Sequence, residues 1–72
     1  MVKYLVVIEK ADRNYSAYSP DLPGCVATGK TKKAVEKAMR TAVAMHVRGL
    51  REDRRRLPRP QAFSEYMAVR ES

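Results

Sequence analysis

An α+β fold, with its elements in the order β-β-β-α-β, is what this chain of 72 residues predicts, and three observations predict it. Residues 2–29 are rich in β-branched and aromatic side chains and are broken by turn formers. Residues 32–50 repeat their apolar side chains at three- and four-residue steps, and residues 63–69 return to simple alternation. The period changes from strand to helix and back within one short chain, which leaves room for an antiparallel-rich sheet with one long helix on one face.

The first strand is expected over Val2–Glu9, with Val2, Tyr4, Val6 and Ile8 on one face and Lys3, Leu5 and Val7 on the other. Apolar residues on both faces read as a central strand. Ala11–Asn14 supplies a turn, so Tyr15–Ser19 should form a hairpin with it. Cys25–Gly29 is short and small enough to be a third strand. Thr31 is a good N-cap, and Val35, Ala38, Met39, Ala42, Met45 or His46, and Gly49 or Leu50 then mark one face of an amphipathic helix of about five turns. Its other face carries Lys33, Lys37, Arg40, Arg48 and Arg51. Pro58 and Pro60 cannot continue a helix, which should fray between Leu50 and Arg56. In the last expected strand, Phe63, Glu65, Met67 and Val69 face opposite to Ser64, Tyr66 and Ala68.

The densest punctuation is Tyr15-Ser-Ala-Tyr-Ser-Pro-Asp-Leu-Pro-Gly-Cys-Val-Ala-Thr-Gly-Lys-Thr31. Pro20 and Pro23 each fix φ and hold the preceding residue extended, and Gly24 is free to take positive φ at the end of the turn. This order resembles the HicB-like antitoxins of bacterial and archaeal toxin–antitoxin pairs. Tyr15, Ala17, Pro20, Asp21, Leu22, Pro23, Gly24, Cys25, Gly29 and Thr31 match that family's pattern, and the likeness spans roughly residues 2–70. The resemblance implies a pared-down ribonuclease H-like sheet. It also implies a non-catalytic protein that covers a small, mRNA-cleaving HicA-like toxin and assembles as dimers or larger oligomers. Many family members continue into a helix-turn-helix or ribbon-helix-helix that reads an operator. This sequence ends at Ser72, so one HicB-like domain over residues 1–72 without that DNA reader is expected.

Seventy-two residues bury only about 60% of the surface that the unfolded chain exposes. One cysteine cannot form an internal disulfide, and one cysteine with one histidine cannot complete a four-ligand zinc site. Oligomerisation is the remaining supplement for a small core. A homodimer or larger assembly is therefore expected, with Phe63, Tyr66, Met67 and Val69 as candidate interface residues. The apolar run at the N-terminus is too short for a signal sequence or a membrane span, which points to the cytoplasm and away from membranes.

The net charge of +7 is unevenly placed. Residues 30–59 hold eleven Lys and Arg against Glu36, Glu52 and Asp53, a net +8, and the rest of the chain is at −1. Such a stretch favours a polyanion, either nucleic acid bound without sequence preference or an acidic protein surface. A solvated face that only keeps the chain soluble has the same composition. The candidate contacts are Lys30, Lys32, Lys33, Arg51, Arg54, Arg55, Arg56 and Arg59, with Asp21 and Leu22 at the proline corner. The HicB-like pattern typically has acidic residues where this chain has Lys30, Lys32, Lys33 and Arg54–Arg56, so a basic toxin would be repelled there and the expected cognate partner is either acidic or absent.

Gly24-Cys-Val-Ala-Thr-Gly-Lys-Thr31 satisfies the phosphate-loop pattern letter for letter, but a phosphate loop follows a buried parallel strand. Here the preceding residues carry Pro20 and Pro23, which preclude such a strand, so no nucleotide or other cofactor is expected. Cys25 and His46 have no third group to orient them as a nucleophile–base pair. Glu9, Asp12 and Asp21 do not form an acidic cluster for two metal ions. No catalytic set emerges, and the chain reads as a binding protein.

Overall fold

The computed structural model describes residues 1–71; Ser72, the last residue of the expected domain, lies outside them. Three antiparallel strands precede one long helix: β1 (Val7–Lys10), β2 (Tyr15–Tyr18), β3 (Val26–Gly29) and α1 (Lys32–Glu52). The sheet order is β1-β2-β3, with Val7 opposite Tyr18 and Tyr18 opposite Val26. The expected α+β architecture is present.

β1 starts later than expected, and the register gives the reason. Continuing the ladder from Val7 and Tyr18 would set Leu5 opposite Pro20, which has no N–H to donate. The buried Ser19 hydroxyl instead donates to the Leu5 carbonyl at 2.8 Å. β1 is also an edge strand, not the central strand that its apolar content predicts; β2 occupies the centre.

The proline corner consists of two successive turns. Leu22 N–H donates to Ser19 O at 3.1 Å and Cys25 N–H to Leu22 O at 3.0 Å, with Pro20 and Pro23 at the second position of each turn. Proline is preorganised there, and Gly24 at φ 81° supplies the positive angle that a type II turn requires. The corner directs Leu22 inward. Leu22, Val35 and Met39 are the largest fully buried side chains, joined in the core by Ala17 and Cys25.

Thr31 caps α1 as expected, its Oγ1 accepting from Ala34 N–H at 3.0 Å. The far end falls at Glu52, inside the expected window, and is capped as well. Arg55 N–H donates to Leu50 O at 2.8 Å and Arg54 N–H to Arg51 O at 3.0 Å, the bond pair of a Schellman motif. Arg54 occupies the position that usually holds glycine, at φ 56°. An L-residue in this region costs roughly 1–2 kcal/mol, so Arg54→Gly should stabilise the chain by about 1 kcal/mol, read as a raised urea midpoint at constant slope.

α1 lies over β3 and β2. Gly29 permits that contact: a Cβ there would fall 2.6 Å from Val35 N. With the helix displaced toward β3, the flank of β1 stays open, and Tyr4, Val6 and Ile8 are only half-buried against the core.

The strand expected over Phe63–Val69 is not formed in the single chain. Alternation makes a segment competent to pair but supplies no edge to pair with. Tyr4 Oη donates to Pro58 O at 2.7 Å, and Asp21 Oδ2 accepts from Gln61 and Ala62 N–H, each at 3.0 Å. Beyond Ala62, no backbone hydrogen bond joins residues 63–71 to the rest of the described chain.

Candidate functional site

The face of the sheet turned away from α1 carries an apolar row. Ile8 and Ala17 pack into the core, so the alternating neighbours Val7, Tyr18 and Val26 point the other way and stand side by side across the three strands. Tyr18 is 42% exposed and Val26 64%. The next row outward, Glu9, Ser16 and Thr28, is polar. The apolar row is therefore a bounded stripe at the end of the sheet nearest the proline corner.

A second apolar surface is the open flank between β1 and α1. Two hollows of about 290 and 580 Å³ share Tyr4 and Val43, making one groove from Ile8 past Val43 to Val47 and Val2. Arg40, Arg48 and Arg51 line its rim together with Glu36 and Glu52. Val43 and Val47 were not among the expected inward positions, although their four-residue spacing is a signal for them.

The basic residues do not form one patch. Lys30, Lys32 and Lys33 surround the start of α1, and Lys30 and Lys32 line a hollow of about 320 Å³ there with Lys10, Arg13 and the acidic Asp12. Arg51, Arg54, Arg55, Arg56 and Arg59 are exposed at the other end. A 21-residue helix holds the two clusters about 30 Å apart, several screening lengths at physiological salt, so each acts alone on a charged partner. The first turn of α1 has no acidic residue. Its lysines oppose the helix dipole.

Two candidate contacts at the corner have internal roles. Leu22 is fully buried and is core, not contact surface, because the paired turns point it under α1. The Asp21 carboxylate is the clamp on Gln61 and Ala62, a long-range role that no local motif announces.

The phosphate-loop pattern is taken up by regular structure. Val26–Gly29 is β3, hydrogen-bonded to β2, so its backbone N–H groups do not form a cradle. Cys25 and His46 line the same shallow hollow, yet Cys25 is 4% exposed and burial pushes its thiol up, the direction opposite to activation. Among the described residues, no three His, Cys, Asp or Glu stand together as a metal site. None of the described helices is long and apolar enough to cross a membrane.

A three-stranded antiparallel sheet with one covering helix, two uncovered apolar surfaces and charged helix ends defines a small α+β domain built around surfaces and not around a pocket. The sequence profile of the HicB-like antitoxins of bacterial toxin–antitoxin systems matches residues 4–72, and the chain belongs to that family. It is similar to a UPF0150 protein of Thermoplasma acidophilum, with 34% identity over 62 residues, 85% of this chain and 90% of that protein. It is also 31% identical over 64 residues to an uncharacterised 14.9 kDa protein from the rep-hol intergenic region of Haemophilus phage HP1. That match covers 89% of this chain but 48% of the phage protein, so the chain spans about half the length of that relative. No solved structure matches the chain.

Proposed function

We propose that this chain is the antitoxin-type half of a toxin–antitoxin pair: a non-catalytic protein that binds a small, mRNA-cleaving HicA-like toxin and covers its active surface. The family match over residues 4–72 carries this reading. The geometry supports it with the Val7, Tyr18 and Val26 stripe, an apolar row beside the rigid corner in which Tyr18 and Val26 are exposed and Val7 is half-buried. Masking is steric. The stripe would supply desolvated contact, and the exposed Pro20, Pro23 and Gly24 would approach the toxin beside it. Arg54, Arg55, Arg56 and Arg59 would meet acidic groups at the rim, where charges set partner choice and encounter rate more than affinity.

The same arginines support a second reading, nonspecific binding of RNA or DNA, and salt separates the two. Phosphate binding releases counterions and weakens by orders of magnitude between about 50 and 200 mM salt. Anisotropy of a labelled RNA should show no binding tighter than about micromolar at physiological salt. Reversing Arg54, Arg55, Arg56 and Arg59 to Glu should weaken the complex with the toxin. Sub-micromolar RNA affinity that the reversal abolishes would transfer the function to nucleic acid.

A further inference from the structure

We infer that the outer face of α1 is a ridge for the phosphate backbone of single-stranded RNA, placed so that it stays open while the Val7, Tyr18 and Val26 stripe is covered. Lys33, Lys37, Arg40, Ala44, Arg48 and Arg51 follow one another at steps of four, three, four, four and three residues, and all six are exposed. At 3.6 residues per turn such steps keep them within about 80° of one another around the helix axis, so five cations and one small residue form a single narrow band. No carboxylate interrupts the band. Glu36 and Glu52 stand to its two sides, and α1 as a whole carries six basic residues against those two.

The ridge points away from the core. Val35, Met39 and Ala42, which pack into or against it, lie about half a turn around α1 from the band. The apolar stripe is on the face of the sheet turned away from α1, so both layers of the domain stand between the two surfaces. A partner seated on the stripe therefore leaves the ridge in solvent.

Charge spacing and the makeup of the crest select the occupant. Successive cations are separated by about 6, 4.5, 12 and 4.5 Å along the axis, about 27 Å in all. Screening over about 8 Å isolates the clusters at the two ends of α1, and Lys37, Arg40 and Arg48 fill the distance between them. A compact acidic surface meets part of such a line, whereas an extended polyanion meets all of it. A protein interface would also want an apolar centre with aromatic anchors, and the crest offers only Ala44. With no aromatic side chain on the crest to stack a base, contact is to phosphates and independent of sequence. RNA as the polymer rests on the proposed reading, in which the toxin cleaves mRNA. The chain would then be held on the strand that its toxin attacks, through a surface separate from Arg54, Arg55, Arg56 and Arg59. Affinity of this kind is micromolar or weaker at physiological salt, so the hold is transient.

Anisotropy of a labelled single-stranded RNA, titrated with the intact chain between about 50 and 200 mM salt, tests this with no toxin present, so its outcome does not depend on masking. With five phosphates neutralised, log affinity should fall against log salt with a slope of about −3.5, a loss of roughly 100-fold across that range. Two triple variants remove the same three charges' worth, from +7 to +4: Lys37→Gln, Arg40→Gln and Arg48→Gln on the ridge, and Arg54→Gln, Arg55→Gln and Arg56→Gln at the helix exit. All six positions are exposed, so both variants should stay folded by circular dichroism. The ridge variant should lose about tenfold or more in affinity at the low salt and flatten the slope to about −1.4, and the exit variant should keep the slope of the wild type. Tyr18→Thr with Val26→Thr, on the opposite side of the domain, should leave RNA affinity unchanged. Equal losses in the two triple variants would show that net charge alone holds the RNA, and a larger loss in the exit variant would move the site to the helix end. Loss of RNA binding in the stripe variant would contradict the separation of the two surfaces. No RNA binding at the low salt would give the ridge to an acidic protein instead, and each of these four results overturns the inference.

Discussion

Leu22→Ala should destabilise the chain by about 2–5 kcal/mol, the usual range for deleting a fully buried leucine. A domain of 72 residues has roughly 4–11 kcal/mol to lose, at about 0.05–0.15 kcal/mol per residue, so this one substitution removes a large share of it. The cavity would open among Ala17, Cys25, Val35 and Met39. The paired turns at Ser19–Leu22 and Leu22–Cys25 fix the backbone around it, so the site cannot collapse to fill the space. Urea unfolding followed by far-UV circular dichroism reads the loss directly. A change below about 1 kcal/mol, the range of surface substitutions, would show that Leu22 is a contact residue after all.

Gly29→Ala should have a comparable effect for the opposite reason. The new Cβ would lie 2.6 Å from Val35 N and 2.9 Å from both Ala34 C and Val35 Cα. All three are backbone atoms of the first turn of α1, which cannot rotate aside as a side chain would. The helix must lift from β3, loosening the buried Val35. Overpacking of this kind costs about 1–3 kcal/mol and occasionally more, and the rigidity of the obstacle puts this case at the upper end. Gly49→Ala is the control: nothing lies within 4 Å of its Cβ, so the better helix propensity of alanine should stabilise the chain by up to about 1 kcal/mol. Equal effects at the two glycines would contradict the close approach of β3 to α1.

The parts of the fold that depend on local chemistry were legible in the sequence. Thr31 as a cap, Gly24 at positive φ and the helical repeat from Val35 onward each follow from neighbours within a few residues, and each stands where it was expected. What depends on long-range pairing was not legible. The position of β1 at the edge, the Asp21 clamp on residues 40 and 41 positions away, and the unpaired state of Phe63–Val69 are set by which segments meet. Leu22 shows the limit most sharply: beside Asp21 in a polar corner it reads as surface, and only the geometry of the two turns turns it inward. The helix end misled in the same way. Pro58 and Pro60 read as a frayed end between Leu50 and Arg56, yet the Schellman bonds close the helix over Arg54 at a strained angle.

The central claim is that this chain silences a toxin by covering it, and titrating it into an mRNA-cleavage assay tests that most directly. A HicA-like toxin from the same genome should lose its cleavage activity in proportion to added chain, reaching complete inhibition at a fixed stoichiometry, and the two should elute together in gel filtration. The inhibition should withstand physiological salt, as contact through the apolar Val7, Tyr18 and Val26 stripe requires. Cleavage undiminished by an excess of folded chain, with no complex on the column, would contradict the account.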